Sequence, residues 1–432
     1  MRIKRLIRSA SLLLVLLSVM LSGCQWIQDP KTLMSVPRLP TEKANLKSMI
    51  ASQLPEGAIL IRPSSSDDAS AIRVTDMNND GLADTAVVFY ETPEKKVRIH
   101  GMIFRRDGDT WMKIVDFEGA GTTLDRVQLI DITNDSKLDL VVGYGSDDPD
   151  LNKGLVIYTF TKDGVAKLFE QPYSQFVIDD LDQSGKNRLF LVNNQLAQPP
   201  MVSAFEYQNG KMTKLHELMM GKEVNTYTHV TSGFISRDRK GIVLDASAGA
   251  NYWLTDVLVF NRDNMLEQVL GADMTSKPNY SPSSDINGDG IIEVAVTETP
   301  PGWDLYKPYE VPYFTNFYQY DGPNRLKLVD KQYRDYLDRF YLTIPKSWYG
   351  RVTVDTKSKK EELLIFIDKH TNEKLAEIRF FTPEIWDLNK EKWTYLSSSG
   401  DKIIGIISKE PLKLNRGLPK IPELNNNESS SK

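Results

Sequence analysis

An all-β fold is predicted for this 432-residue chain. From about Ala58 the sequence is built of short apolar, β-branched runs broken by Asp, Asn and Gly. No long segment of helical period returns before the C-terminal part, so strands and tight turns are the expected elements. Asp/Asn-rich loops begin at Asp76, Asp131, Asp180 and Asp285, offsets of 55, 49 and 105, the last being two periods.

Each period holds four strands. The first unit has strands at 71–74, 85–89, 97–104 and 111–115, with an acidic loop at 76–84 and an Asp107-Gly108 turn. Asp-Gly between alternating strands marks a hairpin, because glycine accepts the positive φ that the turn needs. The second unit has 127–130, a loop at 131–139, then 140–142, 155–160, the turn Asp163-Gly164 and 166–169. The third has 176–178, a loop at 180–188, then 189–192, 202–207, the turn Asn209-Gly210 and 212–215. In the fourth, 236–241 stands where the acidic loop belongs, followed by 242–244 and 257–260. The fifth has a loop at 285–293, then 294–296, 314–320, the turn Asp321-Gly322 and 326–329. Four strands in a period near 50 is the signature of a β-propeller blade, and about five four-stranded blades fall within the range that closes a ring; six with one irregular blade is the alternative. Residues 58–62 are the expected closing strand of the last blade.

The ends read differently. Arg2, Lys4, Arg5 and Arg8 precede an apolar run at 12–21, too short to span a bilayer, as in a secretory signal peptide. The run ends Leu21-Ser22-Gly23-Cys24, which resembles the bacterial lipobox. The resemblance implies a lipoprotein with a signal peptide at 1–23 and acyl chains, palmitate among them, on Cys24. Cys24 is the only cysteine, so disulfides and thiol chemistry are excluded. A tether and short helix follow at 24–57, with Leu46, Met49, Ile50 and Leu54 on one helix face. Four of the 53 Lys+Arg lie in the leader, leaving 49 against 58 Asp+Glu and a mature net charge of −9. That balance argues against nucleic acid as a partner.

Three loops share one chemical pattern. They are Asp76, Asn78, Asp80 and Asp84; Asp131, Thr133, Asp135 and Asp139; and Asp285, Asn287, Asp289 and Glu293, at positions 1, 3, 5 and 9 of each loop. Oxygens so spaced can converge on one hard cation, with a backbone carbonyl from position 7, and the supply suits calcium better than magnesium. Asp/Asn-rich hairpin turns that only cap their own backbone are the competing reading. Between strands at this period, the loops resemble the FG-GAP or VCBS repeats of integrin-type β-propellers over about 70–330. That resemblance implies structural calcium held by those twelve residues. The third loop keeps Asp180, Asp182 and Ser184 but has Arg188 at its ninth position, where the guanidinium replaces the ion.

The longer connections between second and third strands fall on the opposite face of a propeller, and rigidly supported loops commonly carry binding. Asp147, Asp148, Tyr252, Trp253, Trp303, Tyr306 and Tyr309 lie there as a candidate ligand face; the aromatics either stack on a ligand or plug the central channel. No catalytic motif is present, and no catalytic residue is assigned. The propeller is assigned to 58–335, a small C-terminal β-rich domain to 336–412, and a disordered tail to 413–432. The expected protein is a membrane-anchored, cell-surface binding or scaffold lipoprotein on the extracytoplasmic face. Its partner would be an envelope glycan or protein. A polysaccharide hydrolase or lyase and a purely structural envelope component are the alternatives.

Overall fold

The computed structural model describes residues 41–65, 70–77, 81–93, 97–108, 110–147, 153–161, 164–195, 198–250 and 252–415. The expected signal peptide and Cys24, the tether to residue 40, Asn78, Asp80, Asp148, Asp163 and the tail from 416 lie outside the described residues. The chain forms two units. The first contains the residues up to Leu54 together with Arg106–Met112. Its helix α1 (Thr41–Gln53) buries Leu46 and Ile50 and half-buries Met49, the stripe that the spacing predicts. No helix among the described residues is long and apolar enough to cross a membrane.

The antiparallel sheets are formed by the second unit, Pro55–Arg105 with Lys113–Lys432, apart from one hairpin tip of the first sheet that belongs to Arg106–Met112. The first sheet has β1 (Ile59–Ile61), β2 (Ile72–Thr75), β3 (Thr85–Glu91), β4 (Ile99–Asp107) and β5 (Thr110–Glu118). Ile61 pairs with Phe89 and Ile72 with Val88, so β1 and β2 lie end to end along β3. The 58–62 strand therefore belongs to the first sheet and not to the last. The chain leaves the sheet between the two halves because Ser64 and Ser65 donate backbone hydrogen bonds to Leu124 O and Asp125 O of the second sheet, at 3.0 and 2.8 Å.

The second sheet is β6 (Thr123–Ile130), β7 (Asp139–Gly145), β8 (Lys153–Thr161) and β9 (Gly164–Tyr173), in that order. The third is β10 (Gln175–Asp179), β11 (Arg188–Gln195), β12 (Gln198–Gln208) and β13 (Lys211–Met219). The fourth unit, blurred in sequence, is regular: β14 (Val224–Phe234), β15 (Lys240–Ala248), β16 (Tyr252–Phe260) and β17 (Leu266–Leu270). A tight turn, with Ile235 N–H donating to Arg239 O at 2.9 Å, replaces its acidic loop. After α2 (Ala272–Thr275), the fifth sheet comprises β18 (Val294–Glu298), β19 (Phe314–Tyr320), β20 (Leu326–Arg334) and β21 (Tyr341–Thr343). The sixth contains β22 (Val352–Val354), β23 (Leu363–Asp368), β24 (Lys374–Phe381), β25 (Thr394–Ser399) and β26 (Lys402–Ser408), with α3 (Pro383–Asp387) after β24. β27 (Lys413–Asn415) then pairs with β21, so the chain returns to the fifth sheet where the sequence reads as a tail.

The second strand of each of the first four sheets is buried along nearly its whole length, as in Thr85–Tyr90 and Asp139–Gly145. Such strands are covered on both faces, which is why they read as continuous apolar runs without alternation. Consecutive sheets share hydrophobic clusters. Val87 and Phe89 pack with Leu140 and Val142, Val141 with Leu189, Phe190 with Leu244, and Val257 with Val294. Phe314 and Tyr333 of the fifth sheet pack with Phe366 and Ile378 of the sixth. The C-terminal β-rich segment is thus continuous with the core of the fifth sheet.

The fifth sheet lacks a regular first strand. Only two isolated bridges, Trp253 to Lys277 and Ser284 to Glu293, hold the segment that should supply it. A buried polar network stands in its place. Lys277 Nζ donates to Asp245 Oδ1 at 3.0 Å, Thr255 Oγ1 at 2.9 Å, Ser281 O at 2.8 Å and Ala295 O at 2.7 Å. Asp245 also accepts from Ser283 N–H at 2.8 Å, and its Oδ2 lies 3.0 Å from His229 Nδ1. Burial raises the Asp245 carboxyl, but Lys277 and His229 outweigh it and hold the group below the usual carboxylate range.

Asp256 has a different fate. It accepts from Tyr227 Oη–H and from Gln268 Nε2, the latter at 2.7 Å, but no cation compensates its desolvation. Burial pushes its carboxyl up to about 6. The unfolded chain therefore ionises it first, and stability should fall by about 3 kcal/mol as pH rises from ~4 to ~6, then level off. Asp256→Asn is expected to flatten that segment of a urea-midpoint-against-pH profile; an unchanged slope would assign the proton to another group.

Candidate cation loops and an aromatic cleft

The second, third and fifth acidic loops share one backbone form. Asn134 and Ser136, Gln183 and Gly185, and Gly288 and Gly290 all have positive φ, at positions 4 and 6 of their loops; Gly81 holds position 6 of the first. These turns direct N–H groups inward onto the first carboxylate. Asp131 accepts from Asp135 and Ser136, Asp180 from Ser184 and Gly185, and Asp285 from Gly288 and Gly290, all between 2.7 and 3.1 Å. Asp76 accepts from Gly81 N–H. Ser136 shows that a non-glycine residue tolerates the left-handed position when its N–H is so used.

The ninth position closes each loop from beneath. Asp84 accepts from Met77 N–H at 3.2 Å. Asp139 accepts from Ile132 and Thr133 N–H, both at 3.0 Å, and burial raises its carboxyl. Glu293 accepts from Ile286 N–H at 2.9 Å and from Gln319 Nε2 at 2.8 Å. Burial pushes Glu293 up to about 7, and Asp289 and Asp285 add to the rise. In the fifth unit, carboxylate oxygens of Asp285, Asp289 and Glu293 come within 4.8 Å of one another. Asn287 donates to Glu293 Oε1 at 3.0 Å and accepts from Asp289 N–H at 2.8 Å, so its side chain is already part of the loop.

The third loop carries its own cation. Arg188 is buried and donates from Nη1 to Asp182 Oδ1 at 2.8 Å and from Nε to Glu206 Oε2 at 2.7 Å. Its guanidinium also lies 5.1 Å from the Phe260 ring centroid. Burial opposes ionisation of Asp182, but hydrogen bonds from Ser184 and Arg188 hold it low.

A cleft of about 1390 Å³ opens beside the β18–β19 connection. Its walls include Asn279–Pro282, Trp303–Pro312, the β20–β21 turn and residues ahead of β23. The 2–3 connection and the β20–β21 turn share one end of the sheet because Glu298 pairs with Phe314 and Phe314 with Tyr333. Tyr306 and Tyr309 are exposed at its rim. Trp303 is buried in its floor, donates from Nε1 to Val354 O at 2.8 Å and packs on Tyr306 at 4.5 Å between centroids. It is a wall joining the fifth and sixth sheets rather than an exposed contact residue. Trp253 packs behind Tyr280, which lines the cleft, at 4.6 Å. Tyr252 covers the hairpin at Gly249, and Asp147 pairs with Arg98 at 2.8 Å; neither lines the cleft.

Lys277, Asp245 and the cleft residues Tyr280, Tyr313 and Tyr336 escape the sequence reading. A carboxylate inside the apolar run at 242–246 was the one local signal for the network. Nothing in the sequence announces that 279–282 and the turn after β20 meet.

Fold and site together define an all-β protein of successive antiparallel sheets with acidic loops at one end and an aromatic cleft at the other. No protein-family model and no curated protein matches the chain. Solved structures that resemble it include the exotype rhamnogalacturonan lyase YesX, at 11% identity and TM-score 0.32, covering 68% of this chain and 67% of that one. Saccharomyces cerevisiae Sqt1 matches at 9% identity and TM-score 0.36, over 76% and 82%. A putative 6-phosphogluconolactonase from Bacteroides uniformis matches at 11% identity and TM-score 0.36, over 73% and 94%. Likeness at this level assigns no activity to the chain.

Proposed function

We propose that this protein is a lipid-anchored binding protein of the bacterial cell surface, with FG-GAP/VCBS-type propeller repeats, calcium-braced loops and a binding site in the cleft. The cleft carries the reading: exposed tyrosines surround a large concavity on rigid sheets, the usual setting for recognition. The ligand is an envelope polymer. Anchoring rests on the leader and Cys24 in the sequence. Retention of the full chain by sedimented envelope material tests the binding. Cys24→Ala should free the protein from membranes yet leave it bound to membrane-stripped envelope polymer, and adding Thr356→Trp, which fills the cleft from an exposed position, should abolish that binding. Equal retention of the Cys24→Ala/Thr356→Trp protein would remove the cleft from the proposal.

Calcium is the proposed brace for the first, second and fifth loops. The oxygen-only donor set and the three converging carboxylates of the fifth loop fit a hard cation. An ion that binds only the folded state stabilises by about 2.7 kcal/mol per site at a hundredfold excess over its dissociation constant. The melting temperature of the full chain should rise with calcium and fall with chelator. Asp289→Ala should shrink the rise; identical curves with and without calcium would reduce the loops to turns.

A further inference from the structure

We infer that the cleft takes a neutral glycan chain, an inference that rests on the proposed binding role of that site. Its aromatic lining is of one kind. Tyr280, Tyr306, Tyr309, Tyr313, Tyr333 and Tyr336 all contribute, together with Trp303, and no phenylalanine does. A tyrosine ring offers an apolar face and a polar edge, matching a pyranose, which has C–H groups on its faces and hydroxyls around its edge. Tyr309 and Tyr336 are 67% and 53% exposed, so each ring keeps open surface, while Lys307 and Arg339 lie 5.7 and 5.8 Å from their respective centroids. Lys360 holds the two walls together: its Nζ donates to Tyr309 O at 2.7 Å and lies 5.1 Å from the Tyr336 centroid. On the lining, Ser281 Oγ is buried without a hydrogen-bond partner.

Charge decides the class of polymer. The lining holds four carboxylates, on Glu310, Asp335, Asp338 and Glu362, against three cations, on Arg334, Lys359 and Lys360. Most of these are already matched. Asp335 accepts from Arg339 at 2.8 Å, Lys359 lies 3.7 Å from Glu362, and Arg334 interacts with Asp338. A polyuronate needs surplus cations and a basic peptide several surplus anions; the lining has a single carboxylate in excess, and Asp335 among them is paired with Arg339. The walls at 279–282 and 303–312 are irregular segments that offer no strand edge for an extended peptide to extend.

Affinity electrophoresis of the full chain through gels containing glucan, mannan, galactan or polygalacturonate tests the inference. Retardation by a neutral polymer that persists at high salt is expected. Tyr309→Ala/Tyr336→Ala should weaken it at least about tenfold, with Tyr309→Phe/Tyr336→Phe retaining most of it, since the ring faces supply the contact. Both positions are exposed, so the variants should keep the wild-type melting temperature. Salt-sensitive retardation by polygalacturonate alone, lost in the alanine variant, would overturn the neutral class and leave the cleft as the binding site. Neutral retardation that the alanine variant preserves would overturn the assignment to this cleft. Absence of retardation by every polymer, in a Cys24→Ala protein that still sediments with membrane-stripped envelope polymer, would overturn the inference while sparing the binding role.

Discussion

Asp245→Ala is expected to destabilise the second unit by about 3–5 kcal/mol, the cost of breaking a buried ion pair by removing one partner. The reason is the environment of Lys277, whose side chain is fully buried with its ammonium aimed at Asp245, Thr255 and two carbonyls. Burial already lowers the Lys277 ammonium, and Asp245 is what opposes that fall. Deleting the carboxylate also frees Ser283 N–H, Thr255 Oγ1 and His229 from their acceptor. Lys277→Met should cost a similar amount by stranding Asp245. The double variant Asp245→Leu/Lys277→Met should recover much of the loss, because apolar groups of similar volume need no desolvation. Urea unfolding of the unsubstituted protein, Asp245→Leu, Lys277→Met and the double variant gives the coupling directly, and additive single effects would show that the pair is not the unit. The folded carboxyl is depressed, so the stability it contributes is complete above its unfolded value of ~3.9 and is lost as pH falls below it.

The second large effect is expected at Arg188. Arg188→Ala should cost about 3–5 kcal/mol, since Asp182 and Glu206 would both remain buried without their shared cation. Lys186 reaches Glu206 at 3.3 Å but no such bond joins it to Asp182, so compensation is partial. Arg188→Asp gives a sharper readout. It places a carboxylate at the ninth position of a loop whose backbone already matches those of the second and fifth loops. Calcium should then raise the melting temperature of Arg188→Asp more than that of the unsubstituted protein. An equal calcium response in both would mean that the guanidinium does not occupy a cation's place.

These two positions show how differently the chain advertises its structure. Arg188 was legible because the loop around it is local: nine residues carry the turn chemistry, the spacing and the substituted ninth position together. The positive φ values at Asn134, Ser136, Gln183, Gly185, Gly288 and Gly290 follow from that same local pattern. Lys277 was not legible. Its charged partner Asp245 lies 32 residues away in β15, and Thr255 and Ala295 come from β16 and β18; of its partners the Ser281 carbonyl alone is near it in sequence. The 58–62 strand illustrates the same limit. Its apolar pattern shows that it is a strand, whereas the choice of β3 over the last sheet depends on register with Phe89, Tyr90 and Glu91.

The sequence alone determined the all-β class, the acidic loops and the helix stripe of α1, since each depends on residues within about a dozen positions of one another, and the four-stranded period followed from the recurrence of those local signals. Tertiary structure decided what required distant segments to meet. It set the regular fourth sheet behind a loop that has lost its motif, and it returned β27 to the fifth sheet. It also replaced a missing strand with the Lys277 network and brought Tyr280, Tyr309 and Tyr336 around one cleft. Hydrogen-bonding periodicity is written locally, but burial and charge compensation are settled only when sheets pack, because a side chain's neighbours then come from the whole chain.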